Sequence, residues 1–174
     1  MNAQYWPSGA KETKEEKEKR MAGWTHDLFG MFIHWGIYSL PARNEWVQMY
    51  EKIPGSDYKK YFDHFDPDLY NPKEWAAKAK EAGMKYVVIT TKHHDGFCLW
   101  DTKYTDYKVA NTPNGKALLK PLVEAFRAEG IRVGFYYSLI AWHHPHFAFD
   151  RGHPPVPTDP EERKKEKAKR DMSI

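Results

Sequence analysis

Apolar residues in this chain fall into two kinds of pattern. Three short continuous runs stand out: GMFIHWG from Gly30, YVVITT from Tyr86, and IRVGFYYS from Ile131. Between them apolar residues recur every three or four positions. The continuous, β-branched run at 86–91 predicts a strand covered on both faces, and the runs at 30–35 and 131–137 predict two more strands, the first also buried. Asn71 is placed as an N-cap with Pro72 at the first helical position, and Trp75, Ala79 and Ala82 then share one helical face until Gly83 stops it. A second stripe of Leu118, Leu119, Leu122, Val123 and Phe126 runs to Gly130, with Pro121 expected in the first turn. Residues 11–25 predict a charged helix with Glu15–Lys19 and Glu16–Arg20 as i,i+4 pairs. Two short helices are expected near 45–51 and 56–64, a long loop over 92–113, and a charged helix over 158–174. Strands alternating with helices make an α/β fold with parallel pairing, read as a single domain over 1–174.

Charge alters this picture little. The net charge of +3 is interspersed, and both termini mix Lys and Arg with acidic residues. Neither is a polybasic arm, which argues against nucleic acid as a partner. The single Cys98 excludes an internal disulfide. No apolar run reaches membrane-spanning length and no signal-peptide core is visible, so no membrane association and a cytoplasmic location are expected.

Candidate chemistry gathers at the strand ends. The three runs finish in His34-Trp35, in His93-His94-Asp95 and in Tyr136-Tyr137-Ser138. In parallel α/β folds the carboxyl ends of the strands bind ligands. Imidazoles that donate to and accept from hydroxyls, beside an indole from Trp46 or Trp100, suit a sugar. Gly96 permits the turn that would let both His93 and His94 reach one ligand. Glu45 beside Trp46 is either a hydroxyl ligand or acid, or a surface residue favoured at a helix N-terminus. Asp95, Asp101 and Asp106 either supply a carboxylate pair for glycoside hydrolysis or make hydrogen bonds within their loop. His143, His144, His146 and His153 follow no metal-ligand spacing. No phosphate-cradling loop and no nucleophile elbow is present, and neither a metal nor a cofactor is expected.

Three segments together, MFIHWGIYSLPARNEW, FDPDLYNPKEWAAKAKEAGMKYVVITTKHHDGFCLWDTKYTDY and FRAEGIRVGFYYS, strongly resemble the N-terminal half of the catalytic domain of α-L-fucosidases, glycoside hydrolase family 29. The resemblance covers roughly residues 20–142. It implies a TIM-like β/α barrel whose strand ends bind L-fucose, and it implies that His34, Glu45, Trp46, His93 and His94 are substrate-binding residues. Tyr137 is taken as a further one, with Tyr136 as the alternative. The family's nucleophile and acid/base would lie beyond the end of this sequence, as would its C-terminal β-domain. Asp95 and Glu45 are therefore the first candidates for catalytic carboxylates.

The expected activity is hydrolysis of terminal α-L-fucosides on fucosylated glycans or glycosides, by a minimal or split enzyme. The alternative is a non-catalytic fucose-binding module or an inactive fragment. Three parallel strands leave two open sheet edges, which invite pairing. A homo-oligomer or a complementary C-terminal fragment is the expected partner, although neither six nor nine strands simply restores an eight-stranded closure.

Overall fold

The computed structural model describes residues 12–144, Phe147, Pro160, Glu161 and Lys164. Helix α1 (Lys14–His26) begins at Thr13, whose hydroxyl accepts from the Glu16 N–H at 3.2 Å while the Glu16 carboxylate accepts from the Thr13 N–H at 2.8 Å. This reciprocal cap occupies Glu16, and Arg20 turns back to Glu12 instead, at 2.7 and 2.8 Å. The i,i+4 contact that α1 makes is Lys14–Glu18, not the two pairs expected. The far end of α1 is held by Arg132, which donates to the Gly23 carbonyl at 2.9 Å and pairs with Asp27.

Strands β1 (Gly30–Ile33), β2 (Tyr86–Lys92) and β3 (Arg132–Tyr137) form one parallel sheet in the order β1-β2-β3. Each strand lies beside its predecessor. Helix α4 (Pro72–Glu81) leads into β2, α5 (Leu119–Ala128) leads into β3, and the two helices pack on each other. Both connections therefore cover the same face. A doubly wound sheet would reverse its strand order and carry helices on both faces; sequential winding with one helical layer is a segment of a β/α barrel.

The covered face carries Met31 and Ile33, Val87 and Ile89, and Val133, which join Ala76 and Ala79 of α4 and Leu122 and Phe126 of α5 in one apolar cluster. Burial of a side chain the size of Leu122 contributes about 1.5–3 kcal/mol. Asn71 accepts from the Glu74 N–H, with Pro72 opening the helix as expected. Ala82 does not share the buried face: it is the exposed C-cap, and Ala76 takes its place. Pro121 is the third residue of α5, where its missing N–H costs no helical bond.

The opposite face has no second layer among the described residues. Phe32 is 52% exposed there, so β1 is not the buried strand expected from its composition. It also ends at Ile33, two residues early, because Trp35 N–H donates to the Thr90 side chain rather than to a backbone acceptor.

Helices α2 (Val47–Tyr50) and α3 (Gly55–Asp63) match the two short helices expected. The segment after β2 is a folded structure rather than an open loop. Cys98 bridges both Lys92 and Lys108, and Phe97, Cys98, Leu99 and Tyr107 are buried. Phe97 meets Phe62, Phe65 and Tyr107. The phenylalanine that follows the histidine pair is thus a core residue that anchors the turn. Of the helix expected over 158–174, the described residues Pro160, Glu161 and Lys164 are helical and the rest lies outside the described residues. No helix among the described residues is long and apolar enough to cross a membrane.

Candidate functional site

The three strand ends meet. His34 follows β1, His93 and His94 follow β2, and Tyr136 lies near the end of β3. The ring centroids of His34 and His93 are 4.9 Å apart, those of His93 and His94 4.4 Å, and Tyr136 stacks on His93 at 5.8 Å with its plane tilted by 19°. Trp46, placed by the turn before α2, stands edge-on to His94 at 4.7 Å.

Local chemistry explains why both histidines of the pair face one side. After Lys92 the chain leaves the ladder and turns through Gly96, whose N–H donates to the His93 carbonyl at 3.0 Å and whose φ is +88°. A Cβ there would also lie 3.2 Å from that of His143. His34 is oriented by Thr90: its hydroxyl donates to the Trp35 carbonyl at 2.8 Å and accepts from Trp35 N–H at 2.9 Å and from the Tyr38 hydroxyl at 2.8 Å. The turn after β1 is thereby bolted to β2.

A cavity of about 220 Å³ opens on one side of the cluster, beside His34, the one cluster residue that lines it, with Tyr38, Ser39, Ala42, Arg43, Asn44 and Glu45. His93, 3% exposed, is buried against His34 and Tyr38. Burial pushes its imidazole down to about 3, helped by the neighbouring His94, His34 and Lys92. Burial also lowers His34, with Glu45 opposing, and raises the Tyr38 phenol. At neutral pH His34, His93 and Tyr38 are uncharged donors and acceptors among aromatic faces. Such a set is fitted to hydroxyls and C–H surfaces, not to anions.

Glu45, half-buried, brings its carboxylate to this cavity. Asp95 does not. It is 2% exposed, and one of its oxygens accepts from the Phe97 N–H at 3.0 Å, a hydrogen bond within its own turn. Burial pushes its carboxyl up to about 7. It borders a separate cavity of about 470 Å³ with Gln48, Tyr58, Phe62, Tyr107 and Trp142. The larger cavity is therefore not the imidazole cluster; Trp142, 5.6 Å from His94 and 5.5 Å from Trp46, stands between the two. Asp101 pairs with Lys108 at 2.7 Å and Asp106 is exposed at the rim of the larger cavity.

Tyr137 lies outside the cluster. Alternation along β3 sends it to the other face, against Trp100 at 6.1 Å and under the Lys92 ammonium at 4.7 Å. Tyr136 occupies the place foreseen for it, and Trp100, the alternative indole, goes with Tyr137. Sequence reasoning missed Tyr38, Thr90 and Trp142, which carried no local signal; Ser138 was named only as the close of the third strand end. His143 stacks on Tyr107 at 3.8 Å, His146 and His153 lie outside the described residues, and among the described ones no group of three or more His, Cys, Asp or Glu side chains is placed to hold a metal ion.

Comparison with known proteins identifies the family. A family model described as alpha-L-fucosidase matches residues 2–170. Tissue alpha-L-fucosidase of Homo sapiens is 35% identical over 140 residues, 71% of this chain and 30% of that protein. The alpha-L-fucosidase of Dictyostelium discoideum is 32% identical over 154 residues, 75% of this chain and 33% of that protein. Among solved structures, alpha-L-fucosidase isoenzyme 1 from Paenibacillus thiaminolyticus superposes with a TM-score of 0.79 at 56% identity, covering 84% of this chain and 35% of that one. A GH29 alpha-L-fucosidase from Bacteroides thetaiotaomicron gives 0.73 at 34% identity, covering 97% and 38%. The chain thus spans about a third of the length of these relatives.

Proposed function

The chain belongs to the α-L-fucosidase family, and we propose that it forms the fucose-holding part of an enzyme that hydrolyses terminal α-L-fucosides. One observation carries the reading: His34, His93, His94 and Tyr136 converge from three strand ends, with Trp46 beside them, into one aromatic-walled cluster. In this reading the imidazoles hold the sugar hydroxyls, the indole and phenol cover the C–H face, and Glu45 accepts from a hydroxyl at the rim.

Hydrolysis of a glycoside needs two carboxylates on either side of the bond, about 5–5.5 Å apart for retention and about 6.5–9.5 Å for inversion. Glu45 is one carboxylate at the cavity. Asp95 serves the turn that presents the histidines and is not its partner. The second carboxylate comes from beside the open edge of β3, carried by further sequence of the same polypeptide or by another chain.

The same edges support a partner. Among the described residues β1 and β3 each have an unpaired edge, and Phe32, Phe135 and Tyr137 are all more than half exposed. Strands that extend the sheet would bury them. A second copy of this chain or a complementary fragment is the proposed occupant, and a monomer that persists at micromolar concentration in a sizing experiment would rule that out. A cytoplasmic location belongs to the same proposal; cell fractionation checks it.

A second reading, a fucose-binding module without catalysis, is favoured by the single carboxylate that the described residues bring to the cavity. Incubation with an aryl α-L-fucoside separates the two. Steady release of the aryl alcohol, lost in Glu45→Gln and His34→Ala, supports the enzyme. Binding of methyl α-L-fucoside without release supports the module, and the absence of both overturns the fucose assignment.

A further inference from the structure

Near its end β2 carries one residue more than β3. Up to Thr90 the register advances step for step, with Val88 beside Gly134 and Thr90 beside Tyr136, but the partner of Tyr137 is Lys92. Thr91 is the extra residue of a β-bulge, a feature uncommon between parallel strands. Its carbonyl accepts from the Leu99 N–H at 3.0 Å, in the segment after β2 rather than in β3. Its hydroxyl makes the contact with β3 instead, donating to the Tyr136 carbonyl at 2.9 Å. Backbone bonding to the chain after Tyr136 resumes where the Ser138 N–H donates to the Lys92 carbonyl at 2.9 Å. Thr91 is buried, so its hydrogen bond is shielded from solvent.

One inserted residue reverses the faces of everything after it. Val88 pairs with Phe32 and Thr90 with Tyr136, on the face without helices. Strict alternation would send Lys92 there next and His93 to the helix-covered side. The opposite is found. The Lys92 ammonium stands 4.7 Å from the ring of Tyr137. His93 stacks on Tyr136 at 5.8 Å and lies 5.2 Å from Tyr38 and 4.9 Å from His34. The bulge therefore decides the charge of this wall. An imidazole that is uncharged at neutral pH faces the other rings, where an unbroken ladder would place an ammonium that can only donate.

We propose that Thr91 is a positioning residue for the sugar site: its hydrogen bond to the Tyr136 carbonyl locks the bulge that turns His93, in place of Lys92, toward Tyr136. Thr90 and Thr91 then divide the work between the neighbouring strands. Thr90 bonds the turn after β1, and Thr91 bonds the end of β3. The ligand half of this statement rests on the reading that the cluster holds fucose; the half that concerns which side chains meet does not.

The experiment is nuclear Overhauser NMR on the 174-residue protein without sugar, followed by calorimetric titration with methyl α-L-fucoside. The ring protons of His93 should show contacts with the ring of Tyr136, and the Lys92 methylenes with the ring of Tyr137. Lys92 contacts with Tyr136 in the unsubstituted protein overturn the proposal whether or not any variant folds. Thr91→Val keeps the shape and removes the hydroxyl. It should weaken the His93–Tyr136 contact and raise the fucoside Kd by about tenfold. Thr91→Ser, which keeps the hydroxyl, should restore the contact and bring the Kd to within about threefold of the unsubstituted value. Should Thr91→Val not fold, Thr91→Cys, with its weak S–H donor, takes its place in the comparison with Thr91→Ser. A folded Thr91→Val or Thr91→Cys with contact and Kd unchanged removes Thr91 from the device, even if its denaturant midpoint falls. If the contacts respond as stated but the unsubstituted protein binds no fucoside, the positioning stands and the fucose reading fails.

Discussion

The phenol of Tyr136 lies almost parallel to the imidazole of His93, 5.8 Å away, whereas the next residue, Tyr137, points to the other face of the strand and packs on Trp100. One step along an extended chain reverses a side chain, so only one of two adjacent tyrosines can share a surface with His34. Removing the ring of Tyr136 as Tyr136→Ala should weaken methyl α-L-fucoside binding by about tenfold or more, the equivalent of about 1.4 kcal/mol. Tyr137→Ala should change it less than about threefold. Titration calorimetry on the two variants compares them, and the reverse order would place the ligand on the wrong side of β3.

Two buried groups give the stability opposing dependences on pH. His93 titrates near 3 when folded and near 6.5 when unfolded. Between those values the unfolded chain binds a proton that the folded one refuses, so stability rises with pH. His34 and His143, also lowered by burial, add to this. Asp95 titrates near 7 when folded, against 3.8 for an ordinary aspartate. Between those values the folded chain keeps a proton that the unfolded one has released, so stability falls as pH rises. Asp95→Asn removes the falling contribution. Its stability should therefore climb more steeply with pH than that of the unsubstituted protein between about 4 and 7, by up to about 1.4 kcal/mol per pH unit. Denaturant midpoints across that range test this, and parallel profiles would mean that Asp95 is ionised in the fold.

Thr90 accepts two hydrogen bonds and gives one, all to the turn after β1. Thr90→Val matches its shape and leaves the Tyr38 hydroxyl and both backbone groups of Trp35 without that partner. The expected cost is about 1–3 kcal/mol, read as a lower denaturant midpoint, with Thr90→Ser recovering most of it. Binding should suffer in parallel, because the same turn orients His34.

Gly96 sits at φ +88° with His143 close by. Gly96→Ala combines a left-handed backbone, which costs an L-residue about 1–2 kcal/mol, with a contact that the neighbour must yield to. A melting temperature lowered by several degrees is expected, along with weaker fucoside binding as the His93–His94 turn shifts. An unchanged melting temperature would show that the turn tolerates a side chain.

The order of elements, the caps of α4, the place of Pro121 and the gathering of histidines at strand ends could all be read from the chain, because each depends on neighbours a few residues apart. His34, His93 and His94 were legible since three strand ends of one parallel sheet must share a side. The charge pairs of α1 were not: Glu16 had two uses, and the cap at Thr13 claimed it. Tyr136 and Tyr137 could not be separated either, since both are aromatic and adjacent, and only the register Thr90↔Tyr136 fixes which one faces inward. Asp95 looked like an acid beside a sugar until burial and the Phe97 N–H showed it to be part of the turn. The sequence by itself determined which segments become strands and helices and where polar chemistry collects, because periodicity and capping are local. Which ring meets which and which carboxylate lines a cavity were decided by tertiary packing, because each depends on groups brought together from distant parts of the chain.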